Sequence, residues 1–155
     1  MSSAVADHEN SADGGPALFR LIRFWSRRLL DRSSPQLPDE LRHSQHIQVV
    51  EAVAAATENG AEATVGSVAH LLGLDHSSAG RMVRDASTDG YVSRTESTHD
   101  RRRTALLLTP RGTRLLTGAR QWQRRVFAEL TATWSDEDRD RFAGYLHRLS
   151  AEMER

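Results

Sequence analysis

Residues Thr64 to Thr109, TVGSVAHLLGLDHSSAGRMVRDASTDGYVSRTESTHDRRRTALLLT, decide how the rest of the chain is read. In the first part, Val65, Val68, Ala69, Leu71 and Leu72 fall on one stripe of a short helix, Thr64 to Leu72. Gly73 suits the left-handed residue that closes a helix, and Asp75 is a good N-cap for a second one. Across that second helix, His76 to Asp89, Ala79, Met82, Val83 and Ala86 recur at the spacing of a buried face. Ser77, Arg81, Arg84 and Thr88 line the opposite edge, with Ser78 beside them. Such an edge fits a DNA groove, because Arg can make paired hydrogen bonds to guanine and Ser or Thr can reach bases and phosphates. Taken by itself it is equally a solvated helix face.

The segment C-terminal to this helix favours DNA. Gly90 ends the helix, and Tyr91 to Thr95 alternates as a short strand that includes Arg94. A second strand is predicted at Thr104 to Leu108, and the polar stretch between ends in Asp100, Arg101, Arg102 and Arg103. A hairpin tip with three consecutive arginines can reach a phosphate backbone or a minor groove. Helix, turn, helix and basic hairpin make a winged helix-turn-helix layout.

With these residues in view the chain resembles the MarR family of bacterial transcriptional regulators. Val68-Ala-His-Leu-Leu-Gly-Leu74 is similar to the family's LAxxLGL helix and turn, and Arg81-Met-Val83 to its R-L-V run. Gly90-Tyr-Val92 resembles the G-L-V entry to the first strand. Asp100-Arg-Arg102, with Leu108-Thr-Pro-Arg-Gly112, resembles the D-x-R…LTPxG signature of the wing and the next helix. Two positions depart from the pattern: Val83-Arg-Asp-Ala86 stands for the usual V-D-R-L, and Gly80 replaces a larger residue in a helix interior.

The fold class expected is mainly α with a small β element, a winged helix-turn-helix lobe flanked by N- and C-terminal dimerisation helices. Residues 1–15, rich in Ser, Ala, Asp and Gly, read as a disordered tail, and residues 16–155 as a single domain. Within it the winged lobe takes about 39–109, and the dimerisation helices about 16–31 and 110–154. Leu18, Leu21, Ile22, Trp25 and Leu29 keep helical spacing up to Asp31, and Ser33 to Pro38 breaks it. A helix from Asp39 to Asn59 comes next, then, after the wing, one opened by Pro110 and running to about Thr133. Ser135, with Asp136, Glu137 and Asp138, opens the last helix, which carries Phe142, Tyr145, Leu146, Leu149 and Met153. Terminal helices with apolar faces suit a partner chain, giving a twofold homodimer on a palindromic operator in double-stranded DNA.

Composition narrows the alternatives. The 21 basic and 21 acidic residues cancel, so DNA binding has to rest on where charge is placed, and every basic residue is Arg. Absence of cysteine removes disulfides, thiolate metal sites and the cysteine peroxide switch of some family members. No apolar run approaches the ~20 residues of a membrane span and no signal-like start is present, so a soluble, cytoplasmic protein without membrane partners is expected. No glycine-framed nucleophile or phosphate loop accompanies the Ser, His and Asp residues, so no enzyme and no cofactor are expected. His43 and His46 at i and i+3 could share an ion with Glu51 or a partner chain, but two ligands do not make a site, and no metal is assigned.

The resemblance implies an effector pocket between the dimer arms and the DNA lobe, with Arg20, Phe24 and Trp25 on the first helix and His46 and Val50 on the second as candidate lining. A small aromatic ligand is the implied effector class, since Arg20 could hold a carboxylate. The function implied is a sequence-specific DNA-binding repressor released by a small molecule. The alternatives are a winged-helix module for protein contacts or a metal-responsive regulator.

Overall fold

Thr64 caps the first helix of the central motif by a reciprocal pair of bonds. Its Oγ1 accepts from Ser67 N–H at 3.1 Å, and the Ser67 hydroxyl oxygen accepts from Thr64 N–H at 2.7 Å. This capping box satisfies two donors that a helix start leaves open. The computed structural model that shows it describes residues 14–30, 44–58, 60–98 and 102–153. The expected tail up to residue 13, the break at Ser33 to Pro38, the first residues of the helix expected from Asp39, and His43, Asp100 and Arg101 lie outside these. In chain order the elements are α1 (Gly15–Leu30), α2 (Ser44–Glu58), α3 (Val65–Leu72), α4 (His76–Thr88), β1 (Val92–Glu96), β2 (Thr104–Leu108), α5 (Pro110–Leu130) and α6 (Asp136–Met153). Two compact units are distinguished, Met1–Ser44 and Gln45–Arg155.

The turn between α3 and α4 is built as the sequence predicts. Gly73 takes φ 63°, its N–H and that of Leu74 return to His70 and Ala69 carbonyls, and Asp75 caps α4 by accepting from Ser78 N–H. Gly90 closes α4 at φ 77°, with Tyr91 N–H bonded to Ala86 O at 2.9 Å. That bond uses the donor Tyr91 would have given to a sheet, so β1 begins at Val92, one residue later than expected. β1 and β2 pair antiparallel from Val92↔Leu108 to Glu96↔Thr104, and Ala63 adds an isolated bridge to Leu106.

The core of the larger unit gathers Val49, Val50 and Val53 of α2, Val68 of α3, Ala79, Val83 and Ala86 of α4, Leu106 of β2, and Leu115, Leu116 and Ala119 of α5. Each lies on the apolar stripe of its element, so burial of these stripes is what joins the helices to the sheet. α5 ends at Leu130, short of the expected Thr133, where Ala132 N–H turns to Glu129 O and Trp134 N–H to Thr131 O, three residues back instead of four. Phe142 of α6 then packs on Phe127 and Trp134, with ring centroids 6.0 and 5.2 Å apart. Among the described residues no helix is long and apolar enough to cross a membrane.

Two glycines make opposite demands. A Cβ on Gly112 would stand 2.0 Å from the Tyr91 carbonyl oxygen, a backbone atom that cannot swing aside. A Cβ on Gly80, inside α4, would meet only Arg84 and Val65 side-chain atoms, at 3.8 and 3.9 Å. Gly112→Ala is therefore expected to cost about 1–3 kcal/mol or more, and Gly80→Ala to gain roughly 0.5–1 kcal/mol. Thermal melts of the two variants check the signs.

Candidate nucleic-acid interface

The cap of α4 also arranges its first exposed arginine. Asp75 Oδ1 accepts from Ser78 N–H at 2.9 Å, and the Ser78 hydroxyl donates to Asp75 Oδ2 at 2.6 Å. Arg81 Nη2 in turn donates to the Ser78 hydroxyl oxygen at 3.0 Å. The hydroxyl bond from Ser78, then its backbone N–H, hold the Asp75 carboxyl below the usual carboxylate range, with Arg81 a smaller contributor. One guanidinium N–H is committed in this chain of bonds. Because a guanidinium carries five donors, Arg81 keeps others to offer outward from the first turns of the helix, the part of a recognition helix that meets base edges.

Ser77, Arg81, Arg84 and Thr88 are all exposed and Ser78 is half-buried, so the edge expected from the sequence forms. Its opposite face is closed: Ala79, Val83 and Ala86 are fully buried. In the hairpin, Arg94 is exposed on β1 opposite Leu106, and Arg102 and Arg103 are exposed beside β2. Ser97 N–H donates to Arg103 O at 3.0 Å and closes the hairpin just below them.

The candidate effector residues divide between the two units. Arg20, Phe24 and Trp25 lie on α1, where the Phe24 and Trp25 rings meet edge to face at 5.4 Å and Phe24 stays about half exposed, at 47%. His46 and Val50 lie on α2 in the other unit, both buried. His46 Nε2 stands 3.3 Å from Asp89 Oδ2, and its ring lies 5.0 Å from that of Tyr91, whose other contact is the Arg111 guanidinium at 4.6 Å. Glu51 accepts from Gln123 at 2.6 Å. Among the described residues no group of three or more His, Asp or Glu side chains is placed to hold a metal ion.

The sequence alone marks Asp75 as a cap and no more. Its tie through Ser78 to Arg81 is nonetheless legible in the i, i+3, i+6 spacing. Two further residues carry no local signal: Glu62, whose carboxylate binds the wing, and Tyr91, which joins α2 to α5. Their partners are far along the chain, so only the fold reveals them.

Comparison with known proteins agrees with this geometry. Residues 43–103 match the model of the MarR family. None of the curated proteins matches the chain. Among solved structures, a mutant of MepR from a multidrug-resistant S. aureus clinical isolate superposes with TM-score 0.70 at 15% identity, covering 88% of this chain and 96% of that one. The transcriptional regulator SlyA gives TM-score 0.65 at 17% identity, covering 88% and 94%. S. aureus MepR bound to ethidium bromide gives 0.53 at 17% identity, covering 90% and 96%. At these identities the likeness is one of fold.

Because the Asp75 carboxyl is held below its ordinary range, the stability its bonds confer is full above that range and is lost as pH falls through the lowered value. Asp75→Ala is expected to melt below the wild type at neutral pH, with the gap narrowing on acidification through the carboxylate range. A gap independent of pH would show that Asp75 contributes only as a helix-start residue and not through its charge.

Proposed function

We propose, on the premise that segment 43–103 belongs to the MarR family and the whole chain has that family's winged helix fold, that this protein is a homodimeric, sequence-specific DNA-binding transcriptional regulator. The observation that carries the reading is the exposed edge of α4, Ser77, Arg81, Arg84 and Thr88, succeeded directly by a hairpin bearing Arg94, Arg102 and Arg103. A helix that buries small residues on one side and offers hydroxyl and guanidinium groups on the other fits a major groove. Asp100 and Arg101, which lie between these strands in the sequence, belong to the DNA-binding residues in this reading.

A second copy accounts for the terminal helices. α1 leaves Phe19, Leu21 and Ile22 exposed, and α6 leaves Tyr145, Leu146 and Leu149 exposed, more apolar surface on each helix than a surface helix ordinarily shows. A twofold dimer would place two recognition helices on half-sites one helical turn apart. Bound at an operator, the dimer acts as a repressor. A small aromatic ligand releases it by binding the DNA-incompetent geometry better, and about 1.4 kcal/mol of that preference suffices for a tenfold loss of affinity. That MepR binds ethidium supports an aromatic effector.

The test separates reading from anchoring. Arg81→Ala is expected to cost about 1–3 kcal/mol on the preferred operator and much less on scrambled duplex. Arg102→Ala should weaken both alike and lower the salt slope by about one per chain. Titration of both duplexes at several salt concentrations checks this, and absence of salt-dependent binding by the wild type would instead favour a protein-contact module. Leu149→Arg should convert the dimer to monomer in sedimentation at micromolar concentration.

A further inference from the structure

Glu62 stands in the connection between α2 and α3, two residues before the capping Thr64. Its carboxylate faces the base of the wing. Oε2 accepts a short hydrogen bond from the Ser97 hydroxyl. Oε1 accepts from Thr98 N–H at 2.7 Å and from the Thr98 hydroxyl at 2.6 Å. Three donors on two consecutive residues, 35 and 36 positions away, converge on one side chain. The next residue grips the other strand: Ala63 O accepts from Leu106 N–H at 2.8 Å.

An ionised carboxylate only accepts, and bonds to it are among the stronger ones, so Glu62 suits a site that presents these three donors. Its charge is nevertheless out of place. A carboxylate beside a hairpin that bears Arg102 and Arg103 opposes a polyanion, and a residue there merely for surface charge would weaken DNA binding. Ser97 is buried and its N–H closes the hairpin on Arg103 O, so the point Glu62 holds is the root from which the basic tip extends.

We propose that Glu62 is the positioning residue of the wing: by fixing Ser97 and Thr98 to the α2–α3 connection it sets where Arg102 and Arg103 meet the phosphate backbone, without itself touching nucleic acid. This rests on the DNA-binding reading above and adds to it the element that aligns the wing with the helix-turn-helix. The two roles for Glu62 predict opposite signs. Removal of a repelling charge tightens binding, whereas release of the wing loosens it.

Glu62→Ala is expected to weaken operator and scrambled duplex together by about tenfold, and to lower the salt slope by about one per chain, while the ratio between the two duplexes, set by α4, stays unchanged. Glu62→Gln keeps an oxygen for Thr98 and removes the charge, so it should restore most of the affinity and slope. In the free protein, hydrogen exchange at the Thr98 amide should speed up by about tenfold or more in Glu62→Ala, with exchange in the α2, α3 and α4 core unchanged. Affinity in Glu62→Ala equal to or tighter than the wild type, or unchanged Thr98 exchange, overturns the positioning role alone. A wild type that binds no duplex overturns the functional reading on which the role rests, and does so whatever Thr98 exchange shows.

Discussion

The Thr109 hydroxyl donates to Gly90 O at 2.5 Å and accepts from Gly112 N–H at 3.0 Å, while Thr109 N–H donates to Tyr91 O at 3.1 Å. Those few bonds join four chain segments: the end of α4, the start of β1, the end of β2 and the start of α5. The approach is close enough that Gly112 can carry no side chain. A threonine that served only as a helix cap would satisfy α5 and nothing else. Here the same hydroxyl also takes up a carbonyl freed where α4 ends, so the closing of one helix and the opening of another are a single event. Pro110 at the first helical position asks for no hydrogen bond there and completes the junction.

The junction extends outward through Tyr91. Its phenol oxygen accepts from Arg111 Nη2 at 3.2 Å and its ring lies under the same guanidinium, while its other neighbour is His46 of α2. His46 reaches Asp89 at the end of α4. α4 is thus tied at its C-terminal end to α2 and α5, while its N-terminal half is held by its cap, the turn after α3 and the burial of Ala79 and Gly80.

Much of this is legible in the sequence wherever the signal is local. Gly73 and Asp75 mark the turn, the apolar stripe of α4 assigns its buried face, and Leu108-Thr-Pro-Arg-Gly112 announces a capped helix. The winged layout comes from their order. Shifts at element ends have local causes too: Tyr91 N–H is spent on Ala86 O, and Ala132 N–H turns to Glu129 O. The hidden part depends on distant pairing. Glu62 with Ser97 and Thr98, and His46 with Asp89 and Tyr91, join residues far apart in the chain, and neither acid nor histidine differs in its local pattern from a solvated surface residue. Spacing alone pairs His46 with His43 at i, i+3, whereas its described contacts lie across the fold.

Under the DNA-binding proposal, a chain with 21 acidic and 21 basic residues has to face a polyanion through charge placement. Three acids near α4 and the hairpin are engaged within the protein, whereas Asp85 of α4 and Glu96 of β1 are exposed. Asp75 is bonded twice to Ser78, Glu62 three times to the wing, and Asp89 is paired with His46. Further away, Glu58 meets Arg120 and the acidic first turn of α6 lies with Arg139 and Arg141. A carboxylate that already accepts from internal donors presents less of its charge to a phosphate than one hydrated in the open. With no net charge to draw DNA from a distance, attraction acts within about one Debye length, ~8 Å at physiological salt, where individual side chains rather than the whole molecule set affinity. Under that proposal alignment of those side chains matters more than their number, so the bonds that hold Arg81 and the root of the wing would count together with the arginines themselves.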